Sequence, residues 1–202
     1  VSGVNLCLQS GAQISGTVYA GGNPLENANV AALVISTYEG GDWNLQGVAW
    51  ANTDETGNYT LTVSPGGEYY VRSQPNAPWL EQWYSNATAF TSATLVTPTV
   101  EMPASEIDFN LDEGALIGGH VMAENSPASN VLMQVFLVVT NGGEGWFFQS
   151  IAETRTDAEG SYLVTVPPDV DYYVAAQPDG TQWVAQLYSN AFSLASATTV
   201  RP

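Results

Sequence analysis

The chain has 202 residues, with 20 acids, three arginines and no lysine, for a formal charge of −17 and a sequence pI near 4.1. That balance excludes a phosphate-tracking surface and docking on anionic lipid, since both depend on clustered Lys and Arg. One histidine and one cysteine allow neither a zinc-ligand set nor an internal disulfide, and no apolar run reaches the ~18 residues of a membrane-spanning helix, so no nucleic acid and no membrane insertion are expected.

Hydrophobic residues make up 45% of the chain, enough for a core, and they fall in short runs separated by Gly, Pro, Asn and Asp clusters. In chain order, Val4–Leu8 alternates apolar and polar residues, as a half-buried strand does. Strands are then predicted at Gln13–Ala20, Asn29–Ser36, Leu45–Ala51, Tyr59–Val63, Tyr69–Ser73, Leu80–Tyr84 and Ala93–Val96. A closing strand follows at Ile107–Leu111, where Ile107, Phe109 and Leu111 share one face and Asp108 and Asn110 the other. No window holds a 3.6-residue apolar period over three turns, so no long helix is predicted.

The remaining half repeats the first. GAQISGTV (Gly11–Val18) returns as GALIGGHV (Gly114–Val121), and TDETGNY (Thr53–Tyr59) as TDAEGSY (Thr156–Tyr162), both 103 residues on. GEYYVRSQP (Gly67–Pro75) returns as VDYYVAAQP (Val170–Pro178); after one inserted residue, YSNA (Tyr84–Ala87) recurs at Tyr188–Ala191. Trp43 lies over Trp146, and Trp79 over Trp183. Anchors in register across a full period define a tandem duplication.

ISGTVYAGGNPLENANVAAL from Ile14, followed by TDETGNYTLTV and GGEYYVRSQ, resembles the carboxypeptidase regulatory-like domains of bacterial and archaeal surface proteins. The resemblance implies an all-β chain of two tandem Ig-like or prealbumin-like β-sandwiches, extracellular and displayed on a cell surface. It also implies non-catalytic modules that serve stability, spacing or adhesion. The second copy departs from the pattern, with Gly118-Gly119-His120 over Ser15-Gly16-Thr17. Related collagen-adhesin B-type modules tie themselves with Lys–Asn isopeptide bonds, a chemistry unavailable to a chain without lysine.

The repeat is out of phase with the chain. Val4–Leu8 aligns with Ile107–Leu111, so residues 1–10 are read as the closing strand of a preceding or neighbouring repeat. Residues 11–111 form the first sandwich, and residues 112–202 the second, which stops at Val200-Arg201-Pro202 before its own closing strand. Three arrangements satisfy this pattern. Val4, Leu6 and Leu8 could complete the second sandwich of another molecule, giving a head-to-tail homopolymer. The chain could instead belong to a longer array whose adjacent repeats supply the strands, or Val4–Leu8 could fold back on its own first copy. The expected role is a structural subunit of an extracellular filament, stalk or surface layer, and not an enzyme. A glycan-binding surface adhesin and an accessory domain of a secreted enzyme are the alternatives.

Candidate site residues are few. Asp54 and Asp157 open T-D-x-x-G-x-Y turns, where the carboxylate bonds nearby backbone; the same acids are weak Ca2+ candidates, and no other cofactor is expected. Trp43 and Trp146 sit at Gly-rich hairpin tips and could stack on sugar rings, making a glycan the best ligand hypothesis. Asn58 and Asn86 open N-x-T glycosylation sequons. His120 has no nucleophile elbow in the sequence to serve and reads as a strand histidine, and Cys7 reads as a structural thiol beside the aligned strand.

Overall fold

The computed structural model describes residues 3–37, 43–140, 146–180 and 182–202. Strands account for its regular structure apart from two single 3-10 turns, Phe90–Ser92 and Leu194–Ser196. The chain divides into two compact units, Val1–Glu113 and Gly114–Pro202.

Among the described residues the first unit has eight strands: β1 (Ala12–Ala20), β2 (Asn23–Pro24), β3 (Asn29–Thr37), β4 (Trp43–Asn52), β5 (Asn58–Val63), β6 (Tyr70–Gln74), β7 (Gln82–Trp83) and β8 (Phe109–Leu111). One sheet has the order β4-β3-β6-β7. The other is built on β1, which pairs antiparallel with β5 along Ala12–Thr17 and with β2 at Tyr19–Ala20, and parallel with β8 along Val18–Ala20. β5 alternates exposed and buried residues without exception, Tyr59, Leu61 and Val63 facing in, as a sheet with one solvated face requires. Ile14, Val18, Val30, Leu61, Val71 and Phe109 meet between the sheets, fully shielded from water. Each such side chain contributes about 1.5–3 kcal/mol relative to remaining exposed.

The second unit repeats this plan with β9 (Ala115–His120), β10 (Met122–Ala123), β11 (Ser126–Pro127), β12 (Leu132–Thr140), β13 (Trp146–Arg155), β14 (Ser161–Val166), β15 (Tyr173–Gln177) and β16 (Gln186–Leu187). Its larger sheet has the order β13-β12-β15-β16, and β9 pairs with β14 in the register of β1 with β5. Both long hairpins carry a bulge at the same place, between Ala32 and Leu33 and between Val135 and Phe136. Left-handed residues recur too: Asn27 and Asn130, Ser85-Asn86 and Ser189-Asn190, Gly66 and Asp169. The duplication read from sequence is therefore a duplication of backbone.

Three expectations need correction. The Leu80–Tyr84 strand shrinks to Gln82–Trp83, because the Leu80 N–H turns away to the Asp112 carbonyl, 2.9 Å off. Ala93–Val96 is not a strand. Its start closes the 3-10 turn, Ala93 N–H donating to Phe90 O at 3.1 Å, and only Val96 pairs, with Tyr69. The fold-back of Val4–Leu8 also fails: the segment is in no strand, and all three apolar side chains lie open to solvent.

Candidate functional site

The duplicated backbone makes the first unit a template for the second, and they differ most along one edge. In the first unit, residues 104–111 run beside β1. Ser15 N–H donates to Ala104 O (2.9 Å), Ala104 N–H to Gln13 O (2.9 Å) and Ile107 N–H to Ser15 O (3.1 Å). The Thr17 N–H ends on Asp108 Oδ1 at 2.8 Å. Gly16 makes this approach possible, since a Cβ there would run into the Ile107 carbonyl. Tyr59 donates its hydroxyl to Ile107 O at 2.6 Å, and burial holds that phenol well above its ordinary pKa. From the other sheet, Gln82 grips β8 with both ends of its amide: Nε2 donates to Asn110 O (2.9 Å), and Oε1 accepts from Asn110 N–H (3.2 Å).

The second unit has the receiving half of this arrangement. Gly119 stands at the Gly16 position, and the nearest atoms to a Cβ there are those of the Tyr162 ring, from 3.2 Å. Tyr162 matches Tyr59, and Gln186 matches Gln82. Among the described residues β9 pairs only with β14, so its far edge has no strand beside it. Where β1 runs unbroken through Val18, the equivalent strand breaks at Val121 into β9 and β10. The Val18–Ala20 stretch is the part that β8 braces.

Two adjoining cavities of about 290 Å3 and 260 Å3 occupy the space beside that break. Val121, Met122 and Gln186 line both; Tyr162 and Tyr188 close one end, Trp183 and Val184 the other. The aromatic residues Trp183 and Tyr188 are exposed here, although their counterparts Trp79 and Tyr84 pack against the core of the first unit. Apolar side chains such as Met133, Val174 and Val184 and hydrogen-bonding groups such as Gln186 and Asn190 line the slot together.

Val4–Leu8 alternates apolar and polar residues. Val4, Leu6 and Leu8 are 75%, 88% and 93% exposed, while the residues they match, Ile107, Phe109 and Leu111, are 5%, 0% and 5% exposed. The residue before each segment is left-handed, Gly3 at φ 90° and Glu106 at φ 60°. Cys7 is a free, exposed thiol matching Asn110, on the outward face of that strand. His120 is exposed on the open edge at the Thr17 position.

The other sequence-derived candidates have local roles. Asp54 Oδ1 accepts from Thr56 N–H and Asn58 N–H, both at 2.9 Å, and from the Thr56 hydroxyl at 2.7 Å, bonds that hold its carboxyl below the usual range. Asp157 Oδ1 accepts from Glu159 N–H and Ser161 N–H in the same way. Among the described residues no three His, Cys, Asp or Glu side chains converge on a metal position. Asn58 and Asn86 are exposed; Asn58 accepts from the Thr17 hydroxyl at 2.8 Å, and Asn86 is a left-handed turn residue. Trp146 is exposed at the start of β13 and packs edge-on against Phe148 at 5.1 Å, and the Trp43 side chain lies outside what is described.

Sequence reasoning missed Thr53 and Thr156. Both are buried and tie the end of one long strand to the loop before its partner, the Thr53 hydroxyl accepting from Ala28 N–H (2.9 Å) and donating to Leu25 O (2.5 Å), with the same pair of bonds at Thr156. Their recurrence immediately before each turn aspartate was the available signal.

No protein-family model matches the chain, and no curated protein sequence matches it; the carboxypeptidase regulatory-like resemblance rests on its motif residues. Among solved structures, the chain is similar to a streptococcal ancillary pilin (15% identity, TM-score 0.36), covering 94% of this chain and spanning 61% of that one. It is similar to the shaft pilin SpaA of Lactobacillus rhamnosus GG (10% identity, TM-score 0.35), covering 91% and 95% of the two chains. A DUF3823 family protein of Parabacteroides merdae overlaps at 12% identity and TM-score 0.34, covering 83% and 91%. At overlaps this loose, the all-β architecture stands on the sheet pairing described above.

Proposed function

We propose that the chain is a non-catalytic structural subunit of an extracellular filament, stalk or surface layer, assembled head-to-tail. In this reading, Val4–Leu8 of one copy seats beside β9 of another and completes its second sandwich. The observation that carries it is the match between an open slot and an exposed segment in one chain, each with a filled counterpart in the first unit. Seating would place the three apolar side chains where Ile107, Phe109 and Leu111 lie, and Asn5 beside the His120 N–H as Asp108 lies beside that of Thr17. The donating and receiving surfaces are different, so the contact is head-to-tail and gives an open filament unless the rotation per step closes a ring.

Light scattering on the full chain at rising concentration tests the reading. Growth of mass with concentration, abolished by Leu6→Asp, is expected. Leu6 is exposed in the free chain, so the substitution leaves the fold intact, as circular dichroism would check. A monomer at every concentration, or growth unaffected by Leu6→Asp, overturns it.

A further inference from the structure

The two units also diverge on the outer face of the larger sheet, on the side away from the slot. In the first unit this face is filled. Arg72 lies over the Trp83 ring at 5.4 Å and pairs with Glu81 at 3.3 Å; Tyr70 packs edge-on to the same indole, and Phe90 lies tilted against it and edge-on to Tyr70. Trp50 lies across Gly47, so closely that a Cβ at Gly47 would strike its ring. The aligned residues of the second unit are Ala175 for Arg72, Leu187 for Trp83, Ala185 for Glu81, Ser150 for Gly47 and Glu153 for Trp50. Three large side chains have become small together, leaving an open cavity of about 410 Å3.

The wall of that cavity has two characters. On one side Phe136, Phe148 and Phe192 present apolar surface; Phe148 and Phe192 are more than half exposed. Phe148 stands edge-on to both Phe136 and Trp146, at 5.1 Å from each, so the aromatic strip runs out to the hairpin that Trp146 begins. On the other side stand Gln134, Ser150 and Gln177; Glu153, outside the lining, accepts through Oε1 from Gln134 Nε2 (2.6 Å) and from the Ser150 hydroxyl (3.1 Å), and Gln177 donates to Gln134. This row fixes the amides while leaving further donors and acceptors free. The nearby cation, Arg155, is occupied by Asp179 at 2.6 Å and by Asn130 O.

We infer that this face of the second unit is a binding site for a neutral saccharide. A pyranose ring has an apolar C–H face to lay on Phe148 and Phe192, and hydroxyls that both donate and accept to meet Gln134 and Gln177. An anionic ligand finds no unpaired cation here and meets a chain of charge −17. A wholly apolar ligand would leave the amide row unsatisfied. The site shares Gln186 and Leu187 with the slot, but its phenylalanines and Gln134 and Gln177 line only this cavity, so binding and assembly are separable by substitution.

The test is titration of the full chain, by saturation-transfer NMR and calorimetry, with a panel of neutral glucose, mannose, galactose and N-acetylglucosamine tetrasaccharides. Binding of at least one is expected. Phe148→Ala should weaken it about tenfold, the loss expected of one stacking ring. Ala175→Arg, which restores the residue the first unit accommodates at that place, should abolish it, while Trp50→Ala in the first unit leaves it unchanged. No binding across the panel, or binding indifferent to Ala175→Arg in a chain that folds normally, overturns the inference. Leu6→Asp should bind as the wild type does, which separates failure of this site from failure of assembly.

Discussion

A strand that seats beside β9 must show a period of two, and alanine substitution along Val4–Leu8 reads that period directly. Leu6 corresponds to Phe109, which is wholly buried, and Cys7 to Asn110, which faces solvent. In the free chain both side chains are exposed, so neither substitution alters the starting state. Truncating a buried leucine costs about 2–5 kcal/mol, and each 1.4 kcal/mol is a tenfold change in affinity. Leu6→Ala should therefore raise the concentration for half-assembly about thirtyfold or more, and Val4→Ala and Leu8→Ala should follow in the same direction. Cys7→Ala should fall within about 0.5 kcal/mol of wild type, less than a threefold change. Sedimentation velocity across a dilution series measures each midpoint. Equal losses at Leu6 and Cys7 would refute a seated strand and indicate unspecific association of an apolar tail.

Four further outcomes follow from comparing the filled first unit with the second. Tyr59→Phe removes the donor from the buried Ile107 carbonyl and should destabilise that unit by about 1–3 kcal/mol in thermal unfolding, whereas Tyr162→Phe should leave the unassembled chain unchanged. Burial raises the Tyr59 pKa above its ordinary 10.0, so its contribution is complete below the unfolded value and declines as pH rises beyond it; Tyr59→Phe should blunt alkaline unfolding above about pH 10. Thr53→Val orphans the Ala28 N–H and the Leu25 carbonyl, and Thr156→Val their equivalents, each for about 1–3 kcal/mol in denaturant titrations. Gly119→Ala should block assembly in light scattering while lowering the melting temperature little, because only the Tyr162 ring must yield; Gly16→Ala, facing the Ile107 backbone, should destabilise the first unit severely.

The duplication, the all-β class and the long strands were legible because they depend on apolar alternation and turn residues, which are local. β3 and β4 were placed within two residues at each end for that reason. Leu80–Tyr84 and Ala93–Val96 were over-read because their alternation is real while their hydrogen bonds go elsewhere, to Asp112 and into a 3-10 turn. The open edge was legible as an alignment offset, since Val4–Leu8 matches a strand 103 residues away. Its chemistry was not: that Tyr59 and Gln82 grip the closing strand depends on contacts 48 and 28 residues apart, which no window contains. The outer-face cavity was equally hidden, because it consists of what Ala175, Ala185 and Leu187 fail to fill.

Charge explains how so acidic a chain can carry both an exposed apolar segment and an open slot. Gly3–Ser10 contains no charged residue, and Glu124, exposed, is the one carboxylate among the residues that line the slot. The strand would thus bring no carboxylate of its own out of water, the step that would cost most. The acids stay on solvated faces and in turns, where like-charge repulsion opposes any approach that does not bring strand to slot. That repulsion acts over about a Debye length, ~8 Å at physiological salt, and so penalises broad side-by-side contact more than docking of one narrow uncharged strand. In the proposed assembly acidity would act as a filter on association, opposing every approach except one that brings the uncharged strand to the slot.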